Sequence, residues 1–143
     1  MRPQERFAFY ATHFPSVEIN STFYRLPTEN MVENWREKAP DGFIFAVKGS
    51  RFITQMKKLN VSKESISIFF DRIKPLREHM GPILWQLPPT LHKDVPRLER
   101  FLEMVPKRFR HAVEFRHPSW MTDEVFDVLR SYDAAHVSVS SLR

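Results

Sequence analysis

The sequence predicts an α/β fold of about five parallel strands with flanking helices, which could form an open sheet or an incomplete (β/α)8 TIM-like barrel. Three observations predict it. Short apolar runs recur about one βα unit apart, at residues 17–20, 43–48, 82–86 and 111–116. Amphipathic helical stripes lie between them, one per crossover. Each run also ends in polar or charged residues, although strands of a parallel sheet are normally apolar throughout. Polar groups at strand C-termini need a reason, and in α/β barrels that edge is where ligands bind.

Each element follows from local pattern. Phe7, Tyr10, Ala11 and Phe14 stand at i, i+3, i+4 and i+7, a helix begun near Pro3. The first strand is 17–20. Thr28 caps a helix with Glu29 in its first turn and Val32, Trp35 and Ala39 on one face. Pro40-Asp41-Gly42 is a turn before the strand at 43–48. A polar loop holding Arg51, Lys57 and Lys58 then leads to the clearest helix, with Ile66, Phe69, Phe70, Ile73 and Leu76 as its buried stripe. Pro75 should kink or end it. Gly81-Pro82 closes the segment and the third strand begins. Asp94 caps a helix with Leu98, Phe101, Leu102 and Val105 inward. After the strand at 111–116, Pro118 breaks the chain, and Thr122 caps a helix with Val125, Val128, Leu129 and Tyr132 inward. Residues 135–140 alternate like a fifth strand. No linker or second domain interrupts residues 1–143.

Composition bounds the function classes. Lys plus Arg number 22 against 17 for Asp plus Glu, a net charge of +5 that favours anionic partners. The absence of Cys excludes disulfides and thiolate metal sites, and fits a cytoplasmic protein. No apolar run approaches the roughly 20 residues that span a bilayer, and the N-terminus lacks a signal-peptide apolar region. No P-loop, GxGxxG, GxSxG or HExxH pattern occurs.

Side chains alternate across a strand, so Glu18 shares a face with Asn20, Ala46 with Lys48, Leu84 with Gln86, and Glu114 with Arg116. In a barrel this parity places Glu18, Asn20, Lys48, Gln86, Glu114 and Arg116 in the lumen near its top. Ile19, Val47, Trp85 and Phe115 fall on the other face, under the helices. Two carboxylates among cations can serve as general acid and base or as metal ligands. They can equally form an internal ion-pair network that fills a barrel mouth. His117, just past a strand end, is a candidate base or ligand, or simply a hydrogen-bonded loop residue. Trp120 in the same loop is a candidate substrate platform, or a packing residue.

Residues 17–27, Val-Glu-Ile-Asn-Ser-Thr-Phe-Tyr-Arg-Leu-Pro, resemble a motif of the YecE-like proteins, the domain-of-unknown-function family 72. Phe45-Ala46-Val47-Lys48, Gln86-Leu87-Pro88-Pro89 and Glu114-Phe115-Arg116-His117-Pro118-Ser119-Trp120 match in the same order. The resemblance implies a TIM-like barrel with these residues around its mouth, and no established reaction. It also marks departures. Members usually open with a Gly- and Trp-rich first strand and continue through further strands. Thr54-Gln55 stands where a Thr-His pair is common, and Ser140-Ser141 where an Asp is common. A truncated barrel is the expectation, with open sheet edges and self-association through them.

The functional expectation is an enzyme, a possible hydrolase, acting on an anionic phosphate-ester or nucleic-acid substrate. Glu18, Glu114 and His117 would be catalytic, with or without a divalent metal. Asn20, Lys48, Gln86, Arg116 and Trp120 would bind substrate. The alternatives are a nucleic-acid-binding module using Arg51, Lys57, Lys58 and Lys63, and a chain with no activity of its own.

Overall fold

β1 (Ser16–Ile19), β2 (Ile44–Lys48), β3 (Met80–Gln86), β4 (His111–Glu114) and β5 (Ala135–Val137) form one sheet in sequence order. Every neighbouring pair is parallel. The computed structural model describes residues 1–140, and Ser141 lies outside the described residues. A sheet whose strands follow in chain order steps the same way at every crossover. Right-handed crossovers then put all helices on one face, as in a (β/α) barrel, whereas a doubly wound sheet reverses direction.

The helices are α1 (Pro3–His13), α2 (Ser21–Tyr24), α3 (Glu29–Lys38), α4 (Lys63–Ile73), α5 (Val95–Met104) and α6 (Asp123–Ser131). Their starts are set by local chemistry. Side-chain oxygens of Thr28, Ser62, Asp94 and Thr122 accept from the backbone N–H three residues on, removing one orphan donor each. Pro75 ends α4 as expected, and the chain continues as a 3₁₀ segment over Lys74–His79. The stripe Ile66, Phe69, Phe70, Ile73 and Leu76 is buried throughout.

The register divides the sheet into two faces. On the helix side Val47, Ile83 and Trp85 are 0% exposed and Val113 is 1%. Phe69, Phe101 and His111 surround the Trp85 ring. His111 ties this core to a loop: its Nδ1 accepts from Trp85 Nε1 at 3.1 Å, and its Nε2 donates to the Pro106 carbonyl at 2.9 Å. Burial holds the His111 ring below the usual histidine range, opposed by the bond to Pro106.

The structure corrects several expectations. β3 begins at Met80, two residues before the expected run at 82–86, so Gly81 lies inside the strand rather than before it. The reason is a close crossing: a Cβ on Gly81 would stand 2.8 Å from the Phe45 carbonyl oxygen, beside the register shift between Phe45 and Val47. The polar loop after β2 contains a π-helical turn, Phe52–Met56, and buries Ile53 and Thr54. β5 ends at Val137, short of the expected 140. α2 was not foreseen. Four residues carry little periodicity, and tertiary bonds hold them: the Thr22 hydroxyl lies 2.7 Å from the Lys48 carbonyl and 3.1 Å from that of Ile19.

Candidate functional site at the C-terminal edge of the sheet

The register places the sequence-derived residues on one face. Glu18 pairs with Ala46, Lys48 with Leu84, and Gln86 with Glu114. Register partners in a parallel sheet share a face, so Glu18, Lys48, Gln86 and Glu114 all point away from the helices. Asn20 stands at the N-cap position of α2 just past β1, its side chain making no capping bond, and is exposed. Arg116 returns to the same edge, its Nε donating to Glu114 Oε2 at 2.9 Å. Glu114 is 8% exposed, and this contact supplies the partner that a buried carboxylate requires.

Not every expected contact forms. Glu18 makes no ion pair with Lys48 or Arg116 among the described residues, and it is exposed. From β1 to β4 is three strand spacings, about 14 Å along the sheet. Glu18 and Glu114 therefore flank the face instead of meeting. Lys48 turns to an aromatic partner, its Nζ 4.5 Å from the centre of the Phe23 ring. Gln86 is held from behind, its carbonyl accepting from Gln55 Nε2 at 2.8 Å.

Trp120 is not a substrate platform. It is 0% exposed, its Nε1 donates to the Leu91 carbonyl at 2.7 Å, and its ring stacks on Phe115 at 4.7 Å. Its one polar atom is satisfied and no ring face is free. It clamps the loop after β3 to the loop after β4.

His117 sits on the rim of that clamp, half-buried. Its Nδ1 accepts from the Ser119 backbone N–H at 3.2 Å and lies 2.8 Å from the Ser119 hydroxyl. That hydroxyl accepts from the Lys93 N–H at 2.8 Å, which frees its own proton for Nδ1. A ring nitrogen that accepts from a backbone N–H carries no proton, so Nε2 is the His117 donor. The His92 ring stacks on that of His117 with centroids 3.9 Å apart. Sequence reading missed Thr22, Phe23, His92 and Ser119 at this edge. Phe23 was visible only within the motif at 17–27, and His92 had no signal, because its partner is on another loop.

Among the described residues no group of three or more His, Asp or Glu side chains is arranged to hold a metal ion. No helix is long and apolar enough to cross a membrane among them.

Comparison with known proteins places this geometry. The chain is 37% identical over 112 residues to the UPF0759 protein YecE of Escherichia coli K12, covering 78% of this chain and 41% of that protein. It is 24% identical over 147 residues to the UPF0759 protein YunF of Bacillus subtilis, covering 97% of this chain and 52% of that one. The chain thus spans about half the length of the curated relatives it matches. A solved DUF72 family protein from Thermotoga maritima superposes with a TM-score of 0.81 at 30% identity, over 95% of this chain and 55% of that one. Another, from Enterococcus faecalis, gives 0.78 at 22% identity, over 90% and 56%. The family described as "Protein of unknown function DUF72" matches residues 1–142, and the chain belongs to that family.

Proposed function

We propose that the helix-free face binds an anionic substrate of the phosphate-ester class at the strand C-termini and catalyses its hydrolysis. One observation carries the reading: Lys48, Gln86 and the Glu114–Arg116 pair share one face and one edge of a singly wound parallel sheet. That edge is the reactive one in (β/α) barrels, an argument from fold analogy. Lys48 and Arg116 neutralise substrate charge. Glu114, oriented by Arg116, is the group that would move a proton, and Glu18, three strand spacings away, lies outside its reach. Asn20, Gln86 and the His117 Nε2–H orient the substrate.

Turnover of nitrophenyl phosphate and its diester tests the reading. The chain should hydrolyse at least one of them, and Glu114→Gln should slow it by roughly 10²-fold, the usual worth of a positioned acid or base. No turnover of either ester, or turnover untouched by Glu114→Gln, would overturn it.

A further inference from the structure

A groove of about 440 Å³ lies outside the helix-free face, between the segments that follow β1 and β2 and the first half of α4. Its size is that of a small-molecule site, roughly 300–1,000 Å³. Phe52, Ile53, Ile68 and Phe69 form its apolar walls. Phe52 and Ile68 are 40% and 45% exposed, so this wall leaves apolar surface open to solvent within the concavity. Arg25 and Arg51 also line the groove, and no carboxylate does. Neither guanidinium is in an ion pair among the described residues.

Arg51 is held in place without a counter-charge, its guanidinium 5.6 Å from the Tyr24 ring centre. Tyr24 in turn meets Phe23 edge-to-face at 5.0 Å, and Phe23 carries Lys48. The groove therefore has two unneutralised cations and an open apolar wall in one concavity. An inorganic anion would satisfy the cations and leave the wall wet. A hydrocarbon would cover the wall and leave both cations unused. The geometry points to a site for a small organic anion with a flat apolar body, an aryl phosphate in class. Its head is set between Arg25 and Arg51, and its body lies on Phe52 and Ile68. This inference does not depend on hydrolysis at the helix-free face.

Titration of the isotope-labelled chain with naphthyl phosphate, followed by amide NMR, tests it, with inorganic phosphate and naphthol as separate arms. Naphthyl phosphate should saturate and shift Ile53 and Ile68, and bind more tightly than either arm. Arg51→Gln and Arg25→Gln should each weaken it about tenfold, the usual scale for one charge-assisted contact. Both arginines are exposed, so these variants keep the fold. Ile68→Ala reads the apolar wall independently and should weaken binding several-fold, while Arg100→Gln on the exposed side of α5 should change nothing. Equal affinity for inorganic phosphate would overturn the flat body, and equal affinity for naphthol would overturn the anionic head. No saturation at millimolar naphthyl phosphate, or binding indifferent to Arg51 and Arg25, would overturn the site. Ester turnover that needs Glu114 without this binding sinks the groove alone, and binding here without turnover sinks only the hydrolase reading.

Discussion

The two faces of the sheet are built from the same strands and obey different rules. Under the helices, Val47, Ile83, Trp85 and Val113 are shut off from solvent, and the one polar ring among them, His111, has both nitrogens bonded. On the opposite face Ala46, Lys48, Leu84 and Gln86 are only partly covered and Glu18 is exposed. The covered face buries its apolar side chains completely and bonds both nitrogens of His111, so it determines the fold. The other face keeps charges at its edge because solvent and one local ion pair solvate them, so it is free to carry chemistry.

The largest break in this comparison comes from the covered face. Trp85→Ala should destabilise the chain by about 3–5 kcal/mol, the range for removing a buried aromatic. It would also orphan the His111 Nδ1 that Trp85 now serves. Leu84→Ala, one residue away on the open face, should cost only about 1 kcal/mol, since a half-covered side chain forfeits about half its transfer energy. Urea unfolding of the pair measures the contrast, and equal losses would dissolve it.

Gly49→Ala comes next. The residue follows β2 at the site edge, yet an added Cβ would stand 2.2 Å from the Trp85 ring. The expected loss is about 1–3 kcal/mol, typical of overpacking, read from the same urea midpoints. A neutral result would show that Trp85 shifts freely and that the covered face is less tightly packed than its burial implies.

Acid should then act through the covered face. His111 has a folded-state pKa lowered from 6.5, chiefly by burial. Protonating Nδ1 would also expel the bond from Trp85 Nε1. The unfolded chain therefore takes up this proton at a higher pH than the folded one. Its contribution to stability is full above the unfolded value and declines as pH falls from about 6.5 toward the folded value. His111→Phe should be less stable at pH 8 and flatten that part of the pH profile. An unchanged slope in the variant would assign the acid sensitivity elsewhere.

What the sequence made legible was whatever is set locally. Thr28, Asp94 and Thr122 cap helices because a side-chain oxygen reaches a backbone N–H three residues on, and Pro75 stops α4 for reasons internal to its ring. The two faces were legible because strand alternation has period two, and Glu114–Arg116 because its partners are two residues apart. Tertiary contacts were not. Gly81 reads as a turn until the Phe45 carbonyl is seen beside it, and α2 exists because Thr22 finds the Lys48 carbonyl. Trp120 reads as either a platform or a packing residue until Leu91 takes its N–H. Glu18 has no ion pair among the described residues, and Lys48 lies over the Phe23 ring, a contact no pattern of charges reveals. The groove at Arg25 and Arg51 is assembled from three separate segments, so no single window contains it.

The smallest effect on stability belongs to the open face and concerns association. Among the described residues β1 and β5 each present one unpaired edge, and Ile44, Ala46, Leu84 and Val137 leave a partly wet apolar strip between them. Unpaired strand edges beside apolar surface template pairing with another chain. The chain should therefore self-associate with rising concentration, seen as a growing apparent mass in size-exclusion chromatography with light scattering. Leu84→Gln places a polar side chain in the middle of the strip without touching the helix side. It should change the urea midpoint by no more than about 1 kcal/mol and shift association to higher concentration. Trp85→Phe, a milder change on the covered face, should move stability and leave the mass distribution of the folded fraction alone. A chain that stays monomeric at every concentration, or one whose association ignores Leu84, would mean that the open face is already self-sufficient in water. Its half-exposed apolar atoms would then be ordinary surface, and the contrast between the faces would reduce to charge alone.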